Sequence, residues 1–167
     1  GERVPSRLIA CHRDRYDGAR VVWQAINLEG TRSPFLIADV TDHLLRVPDD
    51  GDKINHANGA VGVSGVTVAV HDLAAAATRY TKILDVAPAQ RSQSPEEESV
   101  TFTLDSQTIT LAQPLVHGTA LAAHLATFGE VPYLLQLQTD REDGMGMLDL
   151  KLAHGARLAL MGSESHG

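Results

Sequence analysis

Eight histidines and a single cysteine are the residues of this 167-residue chain most able to hold a metal or attack a substrate. Spacing decides which of them could act together. His117, His124 and His154 have no H-x-x-x-H or H-E-x-x-H relation, the pattern that turns two imidazoles toward one zinc ion. They receive no role, and neither does His166 in the polar tail "MGSESHG". His12 follows Cys11 at the end of a strand-like segment and is the best chelation candidate, the alternative being a half-exposed strand residue. A metal there needs an acidic partner, and Asp39 in "PFLIADV" is the one to hand. His56, in "NHANG", either touches a ligand or braces a turn, while His71 precedes a helix and faces solvent. No Cys-His-Asp set assembles around Cys11, so the catalytic residues stay unknown.

Hydroxyls and amides are the second source of chemistry. Alternation along the strand-like segments puts Thr67, Thr101, Thr103, Thr108 and Thr110 on one side. Such a face is either ordinary solvated sheet or the floor of a cleft that orients a ligand through its oxygens. Gln136 and Gln138 on "PYLLQLQTD" could line the same cleft. Trp23 is the only tryptophan, either core filler or an aromatic wall, and Gln24 points the opposite way. Should that face be a cleft floor rather than solvated sheet, the residues to line it are His12, Trp23, Gln24, His56, Thr67, Thr101, Thr103, Thr110 and Gln136. "DGMGM" has the glycines of a lid without the phosphate-cradling pattern, so no nucleotide is expected.

These groups must be held by strands and helices that the sequence also marks. "SRLIACH", "ARVVWQAIN" and "PFLIADV" read as strands, the first two joined through Asp17-Gly18. Residues 46–60 are rich in Pro, Asp, Asn and Gly and form a connection. "VSGVTVAV" alternates as a strand, and Asp72 then caps a helix whose apolar stripe is Leu73, Ala76, Ala77, Tyr80, Ile83 and Leu84. Arg79 and Lys82 in its last turns suit the helix dipole. "RSQSPEEES" reads as a polar gap with Glu96-Glu97-Glu98 in a solvated loop. "VTFTLD" and "TITLAQ" pair through an Asp105-Ser106 turn. A helix from Gly118 to Phe128, the strand "PYLLQLQTD" and a last strand in "ARLALMG" follow, with "REDGMGMLDLKLAHG" a loop or short helix.

Composition narrows the partners. At 43% apolar and 21% charged residues the chain is an ordinary globular protein with a core of its own. A net charge of −7 and the lack of a basic stripe disfavour nucleic acid and anionic membrane. One cysteine excludes a disulfide framework within the chain and agrees with a cytoplasmic location. The apolar runs are far short of a membrane span, and the N-terminal residues lack the core of a signal peptide.

The order strand, Asp-capped helix, three strands is a βαβββ unit, fitted by residues 61–113. With "GVTVAVHDLAAAATRYTKILD" it resembles the first module segment of the vicinal oxygen chelate superfamily of glyoxalases, bleomycin-resistance proteins and extradiol dioxygenases. "RYDGARVVWQAI", "PFLIADV" and "HANGAVG" are similar to a glyoxalase-like branch. The resemblance implies one α+β glyoxalase-like domain over 1–167, with N-terminal strands at 7–45, a connection at 46–60, the module at 61–114 and a helix plus strands at 115–167. It implies a half-open, mixed or antiparallel barrel-like sheet with helices on its convex side. In metal-dependent members the ligands come from first and last module strands, here Gly65 and Thr110. Glycine offers no ligand atom and a neutral threonine a poor one.

No cofactor is predicted on this reading, and a divalent metal remains possible only through residues such as His12 and Asp39. The expected function is binding of a small organic molecule. The alternative is a metal-dependent lyase, isomerase or dioxygenase with ligands outside this module. Two modules normally close the cleft, so either a homodimer, a missing N-terminal module of a longer protein, or strands from 115–162 would complete it.

Overall fold

The computed structural model describes residues 6–28, 35–47, 49–141 and 145–162. It packs as two compact units, Gly1–Ile54 and Asn55–Gly167. The division falls in the expected connection, and its cause is strand pairing. β1 (Ser6–Asp14), β2 (Arg20–Leu28) and β3 (Phe35–Asp39) form an antiparallel sheet of their own in the order β1-β2-β3. The connection also holds two short helices, α1 (His43–Arg46) and α2 (Gly51–Ile54). Asp42 caps α1 through its Oδ1, 2.9 Å from the Leu44 N–H.

The second unit is built on a seven-stranded mixed sheet. Its chain order is β4 (Ala60–Ala69), α3 (Leu73–Leu84), β5 (Gln90–Gln93), β6 (Glu97–Leu104), β7 (Gln107–Pro114), α4 (Ala120–Phe128), β8 (Pro132–Thr139), β9 (Gly146–Met147) and β10 (Leu158–Gly162). In space the order is β5-β6-β7-β4-β8-β10-β9. β4 and β7 are parallel, joined through α3, so the βαβββ module is present as expected. β8 lies antiparallel to β4, and β10 parallel to β8, so the segment after residue 114 supplies the strands beyond β4. Among the described residues β5 and β9 end the sheet without pairing to each other, and it stays open.

The local signals explain α3. The Asp72 carboxylate accepts from the Ala75 N–H at 2.9 Å, and Asp85 ends the helix in the left-handed region at φ 56°. Leu73, Ala76, Ala77 and Tyr80 bury against Val68, Val70, Val100, Phe102 and Leu111. Each large side chain so buried contributes about 1.5–3 kcal/mol of transfer free energy. Arg79 departs from its expected partner, the helix end, and instead reaches Glu130 at 3.3 Å.

Two sequence expectations need correction. The polar gap contains β5, four exposed residues paired to β6, and Glu97 and Glu98 belong to β6 rather than to a loop. An edge strand exposed on both faces has no apolar alternation to reveal it. The ambiguous segment yields β9 and a run of turns, with no helix among its described residues. No described helix is long and apolar enough to cross a membrane.

Candidate functional site

Register assembles the polar face. Cross-strand partners share a face, so β6, β7, β4, β8 and β10 lay Thr103, Thr108, Gly65, Gln136 and Ala159 in one row. The next row holds Thr101, Thr110, Thr67 and Leu134. Both rows lie opposite α3, as the alternation required. α4 covers the far end of this same face, with Leu121 and Leu125 over Ala69 and Ala112.

Beyond the first row lies a groove of about 640 Å³, lined by Ser64, Thr103, Asp105, Ser106, Thr108, Gln136, Gln138, Met161 and Gly162. Thr103 and Gln136 are thus the expected cleft residues that the fold brings together. Thr67, Thr101 and Thr110 lie one row away, and the Thr101 and Thr110 hydroxyls bond each other at 2.9 Å. Asp105 holds the tight β6–β7 turn in the left-handed region at φ 51°.

Ser64 was not legible because strict alternation sends it to the other face. β4 carries a bulge there: Val63 pairs with Leu137 and Gly65 with Gln136, leaving Ser64 as the extra residue. A bulge re-aims a side chain. Met161 and Gly162 arrive from β10, a strand whose position beside β8 no local pattern announces.

Gly65 is buried, and the space above it is filled. A Cβ at this position would stand 2.5 Å from Gln136 Oε1 and closer still to Thr108 Oγ1. The glycine therefore leaves no open volume: neighbouring polar side chains crowd the space above it. The donor set here, Thr108, Thr110 and Gln136 around a glycine, does not fit a divalent transition metal, which seeks imidazole, thiolate or carboxylate. Among the described residues no three His, Cys, Asp or Glu side chains gather as a metal-holding group.

The remaining candidates belong to the first unit or to exposed chain. Cys11, Trp23 and Asp39 are partners across β1, β2 and β3, whereas His12 pairs with Val22 and Ala10 with Gln24. His12 and Gln24 thus share one face, and Trp23 and Asp39 the other. The candidate metal pair His12 and Asp39 is split between faces. Asp39 is instead held by Arg46, with Nη2 at 2.9 Å, and by His43 Nδ1 at 2.6 Å. The Arg46 guanidinium first, then His43, hold its carboxyl well below the usual carboxylate range. His56 is exposed, and its backbone carbonyl accepts from the Gly59 N–H at 2.8 Å.

No protein-family model matches this chain, and no curated protein matches it. Solved structures do. Methylmalonyl-CoA epimerase from Mycobacterium tuberculosis superposes with a TM-score of 0.57 at 16% identity, over 68% of this chain and 95% of that one. A variant of Streptomyces coelicolor methylmalonyl-CoA epimerase, in complex with 2-nitronate-propionyl-CoA, gives 0.50 at 18% identity, over 64% of this chain and 99% of that one. A hypothetical protein from Staphylococcus aureus gives 0.63 at 12% identity over 94% of this chain, which spans 57% of that longer one. At such identities the likeness speaks to architecture alone. Together with the strand order, it shows that this chain carries the vicinal oxygen chelate fold.

Proposed function

We propose that the second unit is a small-molecule binding module whose ligand sits in the Thr103–Thr108–Gln136–Gln138 groove. The carrying observation is the composition of that groove. Hydroxyls and carboxamides supply both donors and acceptors, and among the described residues its one titratable lining side chain, Asp105, is exposed on the rim turn. Such a lining orients a ligand by hydrogen bonds but holds no imidazole, thiol or buried carboxylate to move a proton. Binding therefore ranks ahead of catalysis in this groove, and no metal takes part at Gly65 and Thr110. The lyase or dioxygenase alternative through His12 and Asp39 loses support from their placement on opposite faces.

Ligand chemistry follows from charge. Among the described residues no lysine or arginine lines the groove to meet phosphates, so the preferred ligand is uncharged and carries carbonyl or hydroxyl oxygens. The acyl-CoA bound by the Streptomyces epimerase variant marks the competing class. A ligand-observed NMR screen of small uncharged carbonyl and hydroxyl compounds, with propionyl-CoA beside them, tests this. The reading requires hits from the uncharged set that Thr103→Val with Thr108→Val weakens about tenfold, the scale set by losing two hydrogen bonds of about 0.5–1.5 kcal/mol each. Hits that ignore both substitutions would sink it.

A further inference from the structure

The second unit holds another cavity, of about 630 Å³, between α4, the start of β8 and the residues leading into β10. Its lining is mostly apolar, including Ala123, Phe128, Leu134 and Leu135, and among the described residues contains no aspartate or glutamate. Its lining includes a permanent cation, Arg157, whose guanidinium carbon lies 4.9 Å from the centre of the Tyr133 ring. Among the described residues no carboxylate pairs with that guanidinium, although acids outnumber bases in the chain, 21 to 14. An arginine stacked on an aromatic ring is oriented while its N–H donors stay available for a planar anion.

His124 adds a second observation. Its ring is packed between Phe128 and Tyr133, with centroids at 5.0 and 5.2 Å, and its Nε2 is buried without a hydrogen-bond partner among the described residues. A buried polar atom left unpaired is costly, and a ligand oxygen arriving beside a slightly turned ring would relieve it.

We propose that this cavity is a separate site for a small amphipathic carboxylic acid, its carboxylate on Arg157 and its hydrocarbon body against Phe128 and Ala123. Charge complementarity selects the head group. A carboxylate gains a charge-assisted, fork-shaped pair of hydrogen bonds that an alcohol of the same shape cannot make. The apolar wall selects the body, since a bare anion gains nothing from Phe128. This site is independent of the threonine groove in its residues and in its ligand charge.

The test uses the whole chain, titrated calorimetrically with phenylacetate and with 2-phenylethanol as its uncharged counterpart. Phenylacetate is expected to bind at least about tenfold more tightly than the alcohol, the discrimination a charged hydrogen bond provides. Arg157→Gln should bring phenylacetate down to the level of the alcohol. Ala123→Trp, which fills the cavity and leaves Arg157 in place, should abolish binding of both. Thr103→Val with Thr108→Val should change neither, which separates this site from the groove. Circular dichroism of each variant establishes that it is folded. If phenylacetate does not bind, or binds no better than the alcohol, the proposal fails. Unchanged binding in folded Arg157→Gln overturns it as well.

Discussion

Gln136 and Gly65 are direct partners across β8 and β4, and the carboxamide oxygen of Gln136 stands 2.5 Å from where a Cβ at residue 65 would lie, beside the hydroxyl of Thr108. This relationship changes the meaning of the glycine. Position 65 is where the resemblance places a ligand of the metal-dependent members, and the sequence offers no ligand atom there. Instead the glycine lets a glutamine and a threonine close over the strand. A groove floor of amides and hydroxyls results.

Gly65→Ala should therefore destabilise the protein by about 1–3 kcal/mol, the cost of overpacking a filled site. Urea unfolding followed by circular dichroism measures it. Adding Gln136→Ala should recover part of the loss, because the two side chains compete for one volume and their effects do not add. Full additivity would show that Gln136 is not what fills the space.

Thr101 and Thr110 offer a cleaner cycle. Their hydroxyls bond each other at 2.9 Å and both residues are half-buried. Thr110→Val alone leaves the Thr101 oxygen unpaired and should cost about 1 kcal/mol, whereas the double valine variant should lie closer to the parent. Ligand binding in the groove should survive the double substitution, since neither residue lines it. Denaturation midpoints of the parent and the two variants decide the first point and titration the second.

Acid should weaken the first unit through Asp39. Its folded-state pKa lies below the unfolded value, so its contribution is present above the ordinary carboxylate range and is lost as pH falls through the folded value. Asp39→Asn should lower the urea midpoint at pH 7. The gap between variant and parent should shrink as the pH drops below about 4, where the unfolded carboxyl takes up its proton. A gap that stays constant with pH would assign the loss to packing rather than to the Arg46 and His43 contacts.

The sequence made the central module readable for a physical reason: its signals are local. The Asp72 cap lies one residue before its helix, the Leu73 to Tyr80 stripe repeats each turn, and the threonines alternate along two strands. What escaped depends on partners far along the chain. β1, β2 and β3 alternate well enough to be recognised as strands, yet nothing in "PFLIADV" says that its sheet stops at three. Ser64 reaches the groove only because β8 pairs out of step at a bulge, and "QRSQ" becomes a strand only because β6 offers it an edge. His12 and Asp39 looked compatible as residue types, but the pairing of His12 with Val22 sends them to opposite faces.

The central claim, that a metal-free polar groove binds the ligand, is tested most directly by amide chemical-shift mapping in chelator-treated protein. An uncharged hit from the screen is titrated into isotopically labelled chain. The account predicts saturable shifts centred on Ser64, Thr103, Thr108, Gln136 and Gln138, unchanged by adding back zinc or manganese. Shifts that appear only after metal is restored, or that centre on the first unit, would contradict it.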